Sequence, residues 1–290
     1  MKKAVIKRLT IIGVGLIGGS LARALKRAGV VGEVVGAGRD AQHLQQALAL
    51  GVVDRTEMDL AAAVQGADIV VVATPVGVAE TVFRAIAPGL SPDTILTVVG
   101  STKASVIAAA QAAFGQLPEN FVPGHPIAGT EKSGVEASFA ELFEGHRIIL
   151  TPTENSAPQA VTRVRTMWEQ TGADVVETGV EHHDDVLAAT SHLPHLLAFS
   201  LVDTLAKLDA KQEVFEYAAG GFRDFTRIAS SDPEIWHDIC LHNSSALLKM
   251  LARFEADLDT LRQAIADNNS DYLLQVFARA KAARDQFCRD

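Results

Sequence analysis

Three groups of residues in this 290-residue chain stand where their types and spacing could do chemistry. The first is a glycine turn. Gly13, Gly15 and Gly18 give the spacing G-x-G-x-x-G within RLTIIGVGLIGG, residues 8–19. The spacing follows a short apolar run at 9–12 and precedes a helical stretch from residue 18 through 28, the context in which it binds a pyrophosphate. Gly13 allows a tight turn, Gly15 lets the backbone approach the ligand, and Gly18 lets the helix pack close to the strand. Leu16 and Ile17 lie within the same turn. The helix N-terminus offers free N–H groups and a positive dipole end to phosphate. Lys2, Lys3, Lys7 and Arg8 ahead of the apolar run resemble a secretory signal superficially. A signal needs a continuous apolar helix, which the glycines interrupt.

The second group is histidines. His125 stands in FVPGHPIAG, residues 121–129, where two prolines and two glycines predict a rigid loop after a short strand. A lone histidine is often structural. In a stiff loop at the mouth of a nucleotide site, it is a candidate to accept a proton near neutral pH. Ser191-His192-Leu193-Pro194-His195 comes soon after His182 and His183. Proline inside a helix costs about 3 kcal/mol and frees carbonyls near both histidines. The H-x-x-H spacing has no convincing third ligand, so no metal is expected. The segment reads either as a kinked helix with satisfied histidines or as a polar wall facing the nucleotide.

The third group is the arginines of GGFRDFTR, which opens on Gly220 and Gly221. Arg223 and Arg227 are four apart, on one face if the segment is helical. They offer a carboxylate ligand a local positive site in an acidic protein, and Arg227 is the favoured ligand. The alternative is a solvated turn in which Asp224 pairs with an arginine.

The elements that must position these groups alternate strand and helix. After the glycine turn come a second strand at 33–37, a helix at 41–50, an apolar strand at 68–73 and a helix through 87. A buried strand at 94–99, a helix at 104–114, late strands at 147–151 and 174–177, and a helix at 157–170 between them complete the series. This order predicts an α/β, doubly wound parallel sheet with ligands beyond the carboxyl ends of its strands. Thr74, Pro75 and Ser101 fall at such ends. The end of the second strand holds Gly38, Arg39 and Asp40. A carboxylate there would accept from a ribose 2′-OH, whereas a guanidinium pairs with a 2′-phosphate, so Arg39 favours NADP over NAD. The alternative is a solvated Arg39 with Asp40 on the ribose.

From residue 181 the pattern is helical, with helices at 181–208, 233–266 and 271–287. The change of period near Val180 divides the chain into a dinucleotide-binding domain, 1–180, and a helical domain, 181–290. The apolar faces of the second half exceed what a short bundle buries, which predicts a homodimer. Apolar content of 48% with 21% charged residues describes a globular chain, and no apolar run reads as long enough to span a bilayer. Net charge of −9 argues against a nucleic-acid surface. Cys240 and Cys288, the two cysteines, make neither a metal site nor a disulfide framework, which fits a reducing cytoplasm.

GVGLIGGSLA, VATPV, GSTK, GHPIAGTEKSG, SHLPH and GGFRDFTRIA, standing in that order along nearly the whole chain, resemble the prephenate/arogenate dehydrogenases of tyrosine biosynthesis. The resemblance implies a Rossmann domain followed by an all-α dimerisation domain. It also implies oxidative decarboxylation of prephenate or arogenate with hydride transfer to NAD or NADP. His125 resembles the catalytic histidine that accepts from the substrate's ring hydroxyl, and Ser101 the serine that bonds both. Arg227 resembles the arginine that grips a carboxylate. Thr130, Glu131, Ser191, His195, Gly220, Arg223, Asp224 and Trp236 resemble the surrounding pocket. NAD-dependent members carry Asp where this chain has Gly38-Arg39. An NADP-linked β-hydroxyacid or imine dehydrogenase is a second enzyme reading, but Lys207, Lys211 and Lys249 do not stand in the lysine motif it needs. A catalytically silent nucleotide sensor is a third reading.

Overall fold

The computed structural model describes residues 6–209 and 211–287. Its first half alternates β1 (Ile6–Ile12), α1 (Leu16–Ala28), β2 (Val31–Ala37), α2 (Ala41–Ala49), β3 (Arg55–Glu57), α3 (Leu60–Val64), β4 (Ile69–Val72), α4 (Ala79–Ile86), β5 (Ile95–Val98) and α5 (Ala104–Phe114). Then follow β6 (Phe121–Ile127), β7 (Arg147–Leu150), α6 (Pro158–Glu169) and β8 (Asp174–Glu177). The strands form one sheet in the order β3-β2-β1-β4-β5-β6-β7-β8. β4 and β5 are buried at every residue, as strands covered by helices on both faces must be. Two apolar layers pack on the sheet, one around Leu9, Leu25, Phe143 and Trp168 and the other around Phe83, Leu96 and Phe121. The strand order reverses at β1–β4, so a crevice opens beyond the carboxyl ends of those strands.

Residues 121–129, expected as a loop after a short strand, are strand through Ile127. β6 pairs parallel with β5 over residues 121–123 and antiparallel with β7 from Gly124 onward. Pro123 sits at this change of partner and lacks only a donor; its carbonyl accepts from Thr151 N at 2.9 Å. β3 and α3 were not foreseen. Three half-buried residues show no alternation, and the alanine-rich turn is capped only by Asp59. α1 begins two residues before Gly18.

The expected helix over 181–208 is three pieces: α7 (Val180–Leu187), a π-helical turn at Ala188–His192, and α8 (Leu193–Ala206). Pro194, at the start of α8, has no N–H to give the preceding turn, which widens there. α9 (Lys211–Glu216), α10 (Gly220–Thr226), a 3-10 turn at Arg227–Ser230 and α11 (Pro233–His242) follow. The expected helix over 233–266 breaks at Asn243, where φ is −120° and ψ 31°, and resumes as α12 (Ser244–Ala266), before α13 (Ser270–Phe287). Contrary to the sequence expectation, the run Val180–Ala206 is long and apolar enough to cross a membrane. Its His183, Asp184 and His192 are buried polar groups hydrogen-bonded to other elements of the fold.

The chain forms two compact units, Met1–Ser244 and Ser245–Asp290. The period changes near Val180, yet α7 to α11 belong to the first unit, and the polar groups of α7 bond to the start of α5 and to β6.

Candidate active site

A cleft of about 940 Å³ opens beyond the carboxyl ends of β1, β4, β5 and β6. Gly15, Leu16 and Ile17 form one wall. Gly13 has φ +92°, and a Cβ there would stand 2.6 Å from the Ala73 carbonyl oxygen. A Cβ on Gly18 would stand 2.4 Å from the Gly13 carbonyl oxygen. These two glycines shape the turn from behind, off the cleft surface. Around Gly15 a Cβ would meet nothing within 4 Å. Gly15 precedes α1, and no side chain caps the first N–H groups of that helix. An open backbone cradle and uncapped donors together fit a dinucleotide diphosphate. Thr74 and Pro75 continue the wall at the end of β4, where the buried Thr74 hydroxyl has no partner among the described residues.

The end of β2 lies away from the cleft lining. Arg39 is exposed and has no ion pair among the described residues. Asp40 Oδ1 accepts from Gln42 N at 2.9 Å and His43 N at 3.1 Å, capping α2. Asp40 therefore has its first oxygen committed to helix geometry.

His125 reaches the cleft floor near the end of β6, 8% exposed. Its Nδ1 lies 2.9 Å from His183 Nε2, and His183 Nδ1 lies 2.8 Å from Asp184 Oδ1. Asp184 Oδ1 accepts from Lys103 N and Oδ2 from Ala104 N, both at 2.9 Å. Burial pushes the Asp184 carboxyl up, but the bonds from His183, Ala104 N and Lys103 N outweigh it and hold the pKa below its usual value. His125 is held well below the ordinary imidazole value of 6.5, chiefly by burial and further by the nearby Lys103, His183 and His192. It is neutral at pH 7, and its Nε2 has no hydrogen-bond partner among the described residues. Ser101 lines the cleft with His125, and no hydrogen bond joins the two among the described residues.

The opposite wall comes from the helices after Val180. His195 stacks on Trp236, ring centroids 3.5 Å apart and planes at 17°. The His195 Nδ1–H donates to Ser191 O at 2.8 Å, within the turn that Pro194 widens. Thr130 and Glu131 reach the cleft from the segment after β6. Arg227, 64% exposed, lies 3.6 Å from Glu131. Arg223, Asp224 and Gly220 lie on α10 outside the cleft lining, whereas Arg227, in the 3-10 turn that follows, lines it. Asp224 has no partner among the described residues.

Sequence reasoning passed over Lys103 and Asp184, and it treated His183 only as a neighbour of the proline kink. Lys103 is fully buried and donates from Nζ to the Gly124 carbonyl at 2.6 Å. Asn243 Nδ2 lies within bonding reach of both Asp184 O and His192 Nδ1. The signal available was the run His182-His183-Asp184-Asp185, which puts acids beside imidazoles in an otherwise apolar helix. Cys240 is a half-buried free thiol, and Cys288 lies outside the described residues.

Comparison with known proteins agrees with this geometry. Residues 21–177 match the family described as prephenate dehydrogenase, nucleotide-binding domain, and residues 179–279 match prephenate dehydrogenase, dimerization domain. A cyclohexadienyl dehydrogenase of Zymomonas mobilis is 42% identical over 285 residues, covering 97% of this chain and 96% of the relative. A prephenate dehydrogenase of Bacillus subtilis is 37% identical over 96% of this chain and 75% of its own length. The crystal structure of prephenate dehydrogenase from A. aeolicus, in complex with hydroxyphenyl propionate and NAD+, superposes with a TM-score of 0.91 at 36% identity, covering 98% of this chain and 99% of that one. A doubly wound sheet with an open glycine cradle, a neutral histidine on the cleft floor and a match along both halves together make this chain a dehydrogenase with a nicotinamide cofactor, a member of the prephenate dehydrogenase family.

Proposed function

We propose that the chain catalyses the oxidative decarboxylation of prephenate, of arogenate or of both with NADP+, giving 4-hydroxyphenylpyruvate or tyrosine plus CO2. A nicotinamide bound in the cleft would supply the hydride acceptor. The substrate ring is a cyclohexadiene with a carboxylate at C1 and a hydroxyl at C4. His125 accepts the hydroxyl proton as hydride leaves C4, and it returns that proton to the phenolate oxygen once CO2 has departed. The electron demand at the ring draws the C1 carboxylate away as CO2, and aromatisation drives the step. The observation that carries this reading is the neutral His125, whose free Nε2 stands in the same cleft as the glycine turn.

In this reading Arg227 pairs with a substrate carboxylate, and its exposed contact with Glu131 is weak enough to be exchanged. Ser101 shares the hydroxyl with His125. Thr130, Glu131, Ser191, His195 and Trp236 shape the pocket, and Gly220, Arg223 and Asp224 back it from α10. Gly15, Leu16 and Ile17 hold the diphosphate in the turn that Gly13 and Gly18 shape, with Thr74 and Pro75 beside the nicotinamide half. The unpaired Arg39 supports NADP, because a 2′-phosphate gains a bidentate partner there. Gly38 leaves room beside it, and Asp40 is engaged as a helix cap.

Within the second unit, Leu258, Ile265, Leu274 and Phe277 are each more than half exposed. So many exposed apolar side chains in a helical pair support assembly with a second copy. A monomer in sedimentation at micromolar concentration contradicts that assembly. The test of the whole reading is a comparison of kcat/KM for prephenate and arogenate, each with NADP+ and NAD+. Turnover of at least one substrate, faster with NADP+, is expected. No turnover in any of the four pairings overturns it.

A further inference from the structure

We propose that His183 and Asp184 are positioning residues for the dehydrogenation: together they fix His125 as the Nδ1–H tautomer and leave Nε2 as the lone-pair nitrogen open to the cleft. The proposal rests on the reading of His125 as the proton acceptor, and it assigns work to two buried residues that the reaction otherwise leaves idle.

The argument follows proton by proton. An ionised carboxylate only accepts. Asp184 is ionised, since each of its oxygens accepts from a backbone N–H, Lys103 N on Oδ1 and Ala104 N on Oδ2, and its pKa is held below the usual value. It also stands at the N-terminus of α5, the positive end of that helix. The nitrogen 2.8 Å from Oδ1 is His183 Nδ1, so the proton of neutral His183 is on Nδ1. His183 Nε2 then has a lone pair. It lies 2.9 Å from His125 Nδ1, so that nitrogen carries the proton of His125. One position is left for the basic lone pair: His125 Nε2. A free imidazole samples both tautomers, and the wrong one has no lone pair to offer the substrate hydroxyl.

The surroundings keep the relay in this state. His183 has a fully buried side chain, and burial lowers its pKa against the opposing hydrogen bond to Asp184. The other titratable groups facing the relay are Lys103 at the start of α5 and His192 in the π-helical turn. Both lower the His125 pKa further. When His125 takes up a proton at Nε2, its Nδ1–H still donates to His183, and the imidazolium is stabilised by a hydrogen-bonded line that ends on a fixed carboxylate. A buried histidine pair kept only for packing would have no need of the carboxylate, nor of two backbone donors to orient it.

The test joins spectroscopy to kinetics on the full chain. In 15N-histidine-labelled protein at pH 8, His125 Nε2 should give the shift of an unprotonated nitrogen. In His183→Ala a protonated Nε2 signal should appear. The same variant should lose kcat by about 100-fold or more, with substrate KM moving less than about threefold. His183→Gln offers Oε1 to His125 and Nε2–H to Asp184, so it should regain about a tenth or more of the wild-type kcat. A protonated Nε2 in the wild type, or a His183→Ala kcat within about threefold of wild type, overturns the proposal. If His183→Ala does not fold, the wild-type spectrum and His183→Gln decide by the same criteria. An active His125→Asn defeats the reading of His125 as proton acceptor. An inactive His125→Asn beside a fully active His183→Ala defeats the relay alone.

Discussion

Lys103 Nζ donates to the carbonyl oxygen of Gly124 at 2.6 Å, one residue before His125. The contact sits where β6 leaves β5 for β7. β5 ends at Val98, and its pairing with β6 stops at Pro123, so Gly124 stands beyond the β5 ladder and the lysine stands in for a strand there. Ammonium and amine both donate, so the strut survives loss of the charge. Lys103→Met leaves a buried carbonyl unsatisfied, at a cost of about 1–3 kcal/mol. A fall in Tm of several degrees is expected, together with a lower kcat as His125 loses its alignment. Burial lowers the Lys103 pKa to about 7 against the pull of Asp184. Between that value and the unfolded value of 10.5, the unfolded chain holds a proton that the native chain has released. The site therefore makes stability rise with pH across that window. Thermal melts at pH 7.5 and 9 check the sign, and Lys103→Met should flatten the rise.

The acid side has the same direction for different groups. His125, His183 and His192 all have pKa values lowered by burial, His192 to about 4. Below pH 6.5 the unfolded chain takes up protons that these native imidazoles refuse. Their contribution to stability is whole above 6.5 and is lost as the pH falls. Urea midpoints at pH 7.5 and 5 should differ in that sense. The acid limb of kcat/KM should lie below 6.5 as well; a limb above 6.5 would contradict a desolvated base.

The sheet was legible in the sequence because its strands are apolar runs with no alternation, such as IVVV at β4, and because glycine and aspartate mark the turns. His125, Ser101 and Arg227 stood out because they lie in motifs of unusual composition. β6 was not legible as a strand, because two prolines and two glycines disguise a segment whose pairing changes partner midway. His183, Asp184 and Lys103 were hidden for a related reason. Their contacts run over 21 to 81 residues of sequence, and no local pattern reports that α7 delivers a carboxylate to the start of α5. The break at Asn243 was equally silent, since its side chain acts on Asp184 and His192.

Arg227 is 64% exposed and touches Glu131 at 3.6 Å. A substrate carboxylate would give it a charge-assisted pair worth about 1.5–3 kcal/mol. Arg227→Ala should raise substrate KM by about 10- to 100-fold, with a smaller change in kcat. An unchanged KM in steady-state assays would move the carboxylate to another residue.

Arg39 at the end of β2 has no ion pair among the described residues. Arg39→Ala should weaken NADP+ binding by about tenfold or more and leave NAD+ nearly unchanged, because only the first carries a 2′-phosphate. Equal effects on the two, measured by fluorescence titration, would remove the basis for an NADP preference.

The most direct measurement is the turnover of His125→Asn at saturating cofactor, with the cofactor dissociation constant determined on the same sample. Asparagine keeps a polar side chain of similar reach but has no nitrogen that can take a proton. Loss of kcat by about 100-fold or more with unaltered cofactor binding is expected. Near wild-type turnover with unaltered binding would show that the proton leaves the substrate by another route.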